Sequence, residues 1–143
     1  MKLRAWLAFT AAVLGSACGA SSGGPPQSPE FAAVQAVLDA RCVTCHDASA
    51  TKLTPGVQRY PQLPLTSGRA YDALVGQPAD ETCGGTRVVP HDTAHSYLEH
   101  KLLDQYPCAG GRMPMGGEAM QGPTLSQAEL DAFATWIAAG APR

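Results

Sequence analysis

The stretch Cys42-Val43-Thr44-Cys45-His46 decides how this chain of 143 residues is interpreted. Two thiols at this spacing can form thioethers with the two vinyl groups of one porphyrin, and the next residue then offers an imidazole to the iron. A redox dithiol or half of a zinc site are the alternatives. The helical pattern around the pair disfavours the dithiol, and Cys83 and Cys108 are too far apart to supply a second zinc pair. The stretch therefore predicts one covalent haem c, attached through Cys42 and Cys45, with His46 as an iron ligand.

The N-terminus predicts export. A positively charged start precedes an uncharged apolar run over residues 5–14, which is too short to span a membrane, and small residues then lead to Cys18. This end resembles a bacterial lipobox, although Leu14 lies four residues before the cysteine where the usual motif has three. We expect residues 1–17 to be a lipoprotein-type signal peptide and 18–28 a flexible linker lipidated at Cys18; ordinary signal-peptidase cleavage stays open.

The five cysteines can all be assigned on this basis. Cys18 is assigned to the lipid, and Cys42 and Cys45 are assigned to the haem. This leaves Cys83 and Cys108. In an oxidising compartment these two are expected to form a disulfide, worth about 3 kcal/mol in the chain-entropy model. Two free buried thiols are the alternative.

The net charge of the chain narrows the classes of molecule that it is expected to bind. The chain has a formal charge of −2 and no cluster of basic residues, which argues against nucleic acid. Removal of the signal peptide takes away Lys2 and Arg4 and makes the remainder more acidic. Gly19 is not the acidic residue that often retains lipoproteins in the inner membrane, so an outer-membrane lipoprotein facing the periplasm or the cell exterior is expected.

Residues 29–143 are expected to form one small all-α domain wrapped around one haem. Apolar residues recur at helical spacing in four places, and no segment alternates long enough to indicate a sheet. The four predicted helices are one beginning at Pro29 behind Ser28, then 66–76, then 93–105, and a last one behind the capping box of Ser126 and Glu129. This helical core is thin, so the haem itself is expected to complete it.

Methionines offer a sixth ligand to the iron. Electron carriers usually fill this position with a Met thioether, whereas peroxidases and sensors leave it open. Met113, Met115 and Met120 lie in one loop rich in Gly and Pro, just before the last helix. A Met in such a loop is poorly explained as core filling, so ligation is favoured for Met113.

Three histidines, His91, His95 and His100, offer a competing bis-His coordination. His95 and His100 fall among polar residues of the predicted third helix, so solvated surface histidines are the expectation for this group. Arg87 and Tyr60 are candidate hydrogen-bond donors to the haem propionates.

Together these motifs resemble a class I monohaem cytochrome c, and more narrowly the cytochrome c-like domains of bacterial lipoproteins of planctomycete type. The similarity covers nearly the whole predicted domain. The matching stretches are 31–46, SGRAYDALVG at 67–76, RVVPHDTAHSYLEHKL at 87–102, RMPMGG at 112–117, and 125–141. In that family the Met before Pro ligates the iron, which implies Met113 before Pro114, with Met115 as the alternative.

The resemblance implies single-electron transfer between a protein donor and a protein acceptor, without catalysis, by a carrier held at a membrane through its lipid. Two alternatives stay open. One is a haem enzyme or a gas or redox sensor with an open or His-ligated distal site. The other is an accessory haem module of a larger redox complex.

Overall fold

Four helices make up the regular structure of the residues that are described. The computed structural model describes residues 26–47, 63–79, 84–105, 111–115 and 124–143. The helices are α1 (Pro29–Arg41), α2 (Ala70–Leu74), α3 (Tyr97–Leu103) and α4 (Gln127–Ala138). Within these ranges, backbone pairing outside the helices is limited to isolated bridges, such as that between Val75 and Val88. The predicted all-α class is confirmed, and no helix in the described ranges is long and apolar enough to cross a membrane.

The two long helices begin at the caps that the sequence predicts. The hydroxyl of Ser28 accepts a hydrogen bond of 3.0 Å from the backbone N–H of Phe31, with Pro29 in the first turn. At α4, the Ser126 hydroxyl accepts from the Glu129 N–H, and the Glu129 carboxylate accepts from the Ser126 N–H at 2.7 Å. Each cap satisfies backbone donors that the first helical turn leaves open.

Helices α1 and α4 pack against each other around an aromatic cluster. The rings of Phe31 and Trp136 have centroids 5.2 Å apart, and Tyr71 meets Phe31 edge-on at 5.3 Å. Phe31 and Trp136 are fully buried. Burial of a large apolar side chain is worth about 1.5–3 kcal/mol, so this cluster is a main source of stability in the described fold.

The last residues of the chain form hydrogen bonds with α4, with α2 and with the residue that caps α1. The indole N–H of Trp136 donates to the carbonyl of Pro142 at 2.9 Å, and the Tyr71 hydroxyl donates to the carbonyl of Ala141 at 3.0 Å. The backbone N–H of Ser28 donates to the carbonyl of Arg143 at 2.6 Å. The start of α1 and the end of the chain are therefore neighbours.

The two middle helices are shorter than predicted. Helix α2 covers only five residues of the predicted 66–76, and α3 begins four residues later than predicted. The Ser96 hydroxyl explains the late start, because it accepts from the Val89 N–H at 2.9 Å and donates to the Asp92 carbonyl at 2.7 Å. These bonds hold residues 93–96 in a turn, since local side-chain bonds compete with helical ones. Apolar spacing in the sequence places Leu103 with Leu98 and Leu102 on the inward face of the predicted third helix. Leu103 is instead 41% exposed, so that prediction was wrong.

Several predictions fall on residues outside the described ranges. These are the signal peptide, the lipidated Cys18 with most of its linker, the pair Cys83 and Cys108, and Met120 and Tyr60. The structure has no bearing on them, and they stay predictions.

Candidate cofactor site

A cavity of about 240 Å³ is lined by residues from all four helices and from the segment 111–115. Its wall is mainly apolar. The contributing large apolar side chains include Leu38, Leu74, Leu98, Leu102 and Phe133. Such a wall favours an apolar ligand body with a few polar groups at defined places.

The motif Cys42-Val43-Thr44-Cys45-His46 reaches this cavity directly from the end of α1. The N–H of Cys42 bonds to the carbonyl of Leu38 at 2.8 Å, and the N–H of His46 bonds to the carbonyl of Cys42 at 3.0 Å. The chain thus continues turning past the helix end. As a result Cys42, Cys45 and His46 all line the cavity.

The thiol of Cys42 is held in its neutral form. Burial raises its pKa to about 12, and the neighbouring Cys45 adds to this effect, while Arg41 opposes it. Redox-active C-x-x-C pairs depend on a thiol whose pKa is lowered, because the thiolate is the reactive species. The environment of Cys42 therefore disfavours the redox dithiol.

The imidazole of His46 is also held neutral. Burial lowers its pKa, a hydrogen bond to the backbone of Leu63 opposes this shift, and the charge of Arg87 reinforces it. The neutral ring is the form that binds a metal, and a backbone carbonyl often orients the other ring nitrogen of such a ligand. The surroundings of His46 suit an iron ligand.

The segment that carries the methionines is fastened to α3. The backbone N–H of Met113 donates to the carbonyl of Lys101 at 2.8 Å, in the last turn of that helix. Carbonyls in a last turn lack a partner within the helix, so this bond satisfies one of them. Met113 and Met115 both line the cavity. The geometry thus brings the predicted ligand and its alternative to the same place as His46.

The side chains of the cavity wall that could bind a cofactor are thiols, an imidazole and thioethers. Among the described residues, no three His, Cys, Asp or Glu side chains are placed to hold a metal ion. Cys42, Cys45 and His46 instead share the wall of one cavity with two thioethers. A covalent haem needs two thiols for its vinyl groups, and its iron can take an imidazole and a thioether as ligands. The residues of this cavity therefore fit a covalent haem.

The three candidate histidines are engaged elsewhere and do not line this cavity. The ring of His95 bonds to the Asp92 carboxylate at 2.7 Å and its side chain is 79% exposed. Ring nitrogens of His91 and His100 bond to the carbonyls of Ala138, at 3.2 Å, and Ala94, at 2.7 Å. These contacts favour surface roles, although His95 lies in the turn before α3 and not on the predicted helix.

One residue of the cavity wall, Lys101, was missed by the sequence reasoning. Lys101 was treated as a surface residue, yet it is only 7% exposed and lines the cavity with Tyr97. The available signal was helical spacing, because the two residues are four apart and Leu98 and Leu102 share their face. Arg87, a candidate propionate donor, also lines the cavity.

Comparison of the chain with protein-family models, with curated proteins and with solved structures gives no match. The functional inference therefore depends on the residues of this chain.

Proposed function

We propose that this protein is a monohaem c-type cytochrome that transfers single electrons, with His46 and Met113 as the axial ligands of its iron. One observation carries the proposal. Cys42, Cys45 and His46 belong to one contiguous motif, and Met113, 67 residues after His46, lines the same largely apolar cavity. The resemblance of the motifs to class I cytochromes c supports the same function.

Each of these residues has a distinct task. The thiols of Cys42 and Cys45 would hold the haem, each through a thioether to one of its two vinyl groups. When bound, haem c supplies an iron that gains or loses one electron. The neutral imidazole of His46 can donate its lone pair without first losing a proton.

The methionine side of the cavity favours an electron carrier over a haem enzyme or a gas sensor. Thioethers, and not the three nearby histidines, line the wall together with His46. A Met thioether raises the reduction potential because it favours ferrous iron. Leu102 and Phe133 are buried apolar side chains of the cavity wall, and an apolar wall would limit the reorganisation that accompanies a change of charge at the iron.

The setting of this function follows from the N-terminal sequence. We infer export, lipidation at Cys18 and attachment to the outer membrane, with residues 18–28 as a tether. A tethered domain restricts electron transfer to protein donors and acceptors within reach of the membrane surface. An accessory haem module in a larger redox complex would use the same anchor, and copurification with a partner would identify it.

Covalent attachment is the decisive test. The full chain, exported in a host that matures c-type cytochromes, should keep its haem when it is extracted with acidified acetone. Cys45→Ala should retain at most one thioether and give a poor yield of holoprotein. Thr44→Ala, which keeps both thiols, should behave as the wild type. Free haem in the organic layer from wild-type protein would rule the proposal out.

A further inference from the structure

The polar part of the cavity wall is positively charged. Arg41, Arg87 and Lys101 line it, and no Asp or Glu is among the described residues that do so. Cations in a largely apolar wall favour a ligand that carries anionic oxygens at that end. A carboxylate is the group that such a wall would hold.

The two arginines are engaged with the protein. Arg41 pairs with the Glu129 carboxylate at 2.8 Å. A guanidinium nitrogen of Arg87 donates to the carbonyl of Ala73 at 2.9 Å. Both arginines are thereby held in place, and Tyr97 and Lys101 of α3 line the same cavity.

Helix α3 presents a hydroxyl and an ammonium together. Tyr97 and Lys101 are one helical turn apart, and the Lys101 nitrogen lies 5.4 Å from the centre of the Tyr97 ring. The Tyr97 hydroxyl is buried and has no hydrogen-bond partner among the described residues. A buried hydroxyl without a hydrogen-bond partner is unfavourable, so a ligand that accepts its hydrogen bond would stabilise the site.

We propose that Tyr97 and Lys101 bind a carboxylate of the group that occupies the cavity. The inference rests on the proposed function, in which the carboxylates are the haem propionates. The Tyr97 hydroxyl donates a hydrogen bond to one carboxylate oxygen, and the Lys101 ammonium balances its charge. Because Met113 is bonded to the carbonyl of the same lysine, α3 would hold both the propionate and the ligand segment.

Purified wild-type holoprotein and two variants, Tyr97→Phe and Lys101→Leu, test the proposal. In resonance Raman spectra, the propionate bending band should shift in both variants, because each loses one contact to the carboxylate. In Lys101→Leu, the pH at which the reduction potential begins to change should also move upward, since loss of a nearby cation makes the propionate harder to ionise. Lys101→Arg should restore both signals towards those of the wild type.

Two control variants lie away from the cavity wall. Arg69→Gln removes an exposed positive charge, and Tyr71→Phe removes a hydroxyl that is bonded to the carbonyl of Ala141. Neither should move the propionate band.

The outcomes separate this inference from the proposed function. If wild-type haem is covalent but neither α3 variant moves the band, the inference is wrong and the proposed function survives. Loss of iron–Met coordination in Tyr97→Phe, with the propionate band unmoved, would assign the hydroxyl to Met113 and overturn the inference. Absence of covalent haem from the wild type would overturn both. If Tyr97→Phe does not fold, the propionate bands of Lys101→Leu and Lys101→Arg decide whether the inference holds.

Discussion

The backbone N–H of Met113 and the carbonyl of Lys101 are joined by a hydrogen bond of 2.8 Å. This bond ties the five-residue segment 111–115 to the last turn of α3. The thioether of Met113 therefore starts from a backbone that is fixed relative to the cavity wall. Met115, two residues further along, lines the same cavity, so the choice between the two sulfurs can be tested directly.

We expect Met113→Ala to abolish the long-wavelength absorption of Met-ligated ferric haem and to lower the reduction potential, because a thioether favours ferrous iron. Met115→Ala is the matched control and should do neither. Absorption spectra and potentiometric titration of the two holoproteins supply the measurement. The opposite result for the two variants would make Met115 the ligand and leave electron transfer in place.

A second prediction concerns Gly140, which follows α4 with a φ of +97°. A Cβ added there would lie 2.5 Å from Cε1 of His91, so Gly140→Ala meets both backbone strain and a clash. Gly68→Ala is the control, because Gly68 has a φ of +79° with no atom near its added Cβ. Backbone strain of this kind costs about 1–2 kcal/mol, and overpacking adds about 1–3 kcal/mol.

Urea denaturation should therefore show a clearly larger loss of unfolding free energy for Gly140→Ala than for Gly68→Ala. Adding His91→Ala to Gly140→Ala should recover part of the difference, since it removes the ring. Equal losses for the two glycines would mean that the His91 contact is unimportant.

A third prediction concerns acid stability. The hydrogen bond from Arg41, and then those from the Ser126 backbone and hydroxyl, lower the pKa of Glu129 to about 2. An unfolded Glu has a pKa of about 4.3, so the unfolded state binds more protons between these values. The stabilisation by Glu129 is thus complete above about pH 4.3 and is lost as the pH falls towards 2.

Glu129→Gln should reduce the pH dependence of the unfolding free energy in this window. Asp131→Asn, which removes another acid from the same helix, should leave the contribution of Glu129 in place. Denaturation curves collected from pH 2 to pH 6 make the comparison. A wild-type slope retained in Glu129→Gln would assign the acid sensitivity to other carboxyl groups.

The fourth prediction is the disulfide between Cys83 and Cys108, which lie outside the described residues. Non-reducing peptide mapping should find the two peptides linked, and alkylation of the native protein should miss both cysteines. Reduction should then weaken the iron–Met bond before the helices unfold, because the pair closes the chain near the methionine segment. Simultaneous loss of the Met-ligation absorption and of helical circular dichroism would instead indicate a role in global stability.

Local signals in the sequence were sufficient for the two long helices. Ser28 and Pro29 start α1, and the capping box starts α4, because both caps depend only on residues within one turn. The lengths of α2 and α3 were overestimated because these sequence signals are only local. Apolar spacing alone does not show that Ser96 bonds to residues 89 and 92 and prevents an earlier start of α3.

The residues of the candidate site also differ in how well the sequence alone predicts them. The three residues Cys42, Cys45 and His46 form one contiguous motif, so the sequence could group them without knowledge of the fold. Helical spacing places Lys101 on the same face as Leu98 and Leu102, but how far its side chain is buried depends on tertiary packing. The fold also does not show which of Met113 and Met115 is the iron ligand, because both line the cavity.

The ion pair between Arg41 and Glu129 joins residues 88 positions apart. This contact and the packing of α1 on α4 close a long loop. All candidate iron ligands, and the two cysteines that we propose as haem attachment sites, lie inside that loop. Closing so long a loop carries an entropy cost that short helical hairpins avoid, so folding should be slow for a helical protein. Once α1 and α4 part, every segment of the cavity wall is released in a single cooperative event, whereas detachment of Met113 alone requires only a local opening.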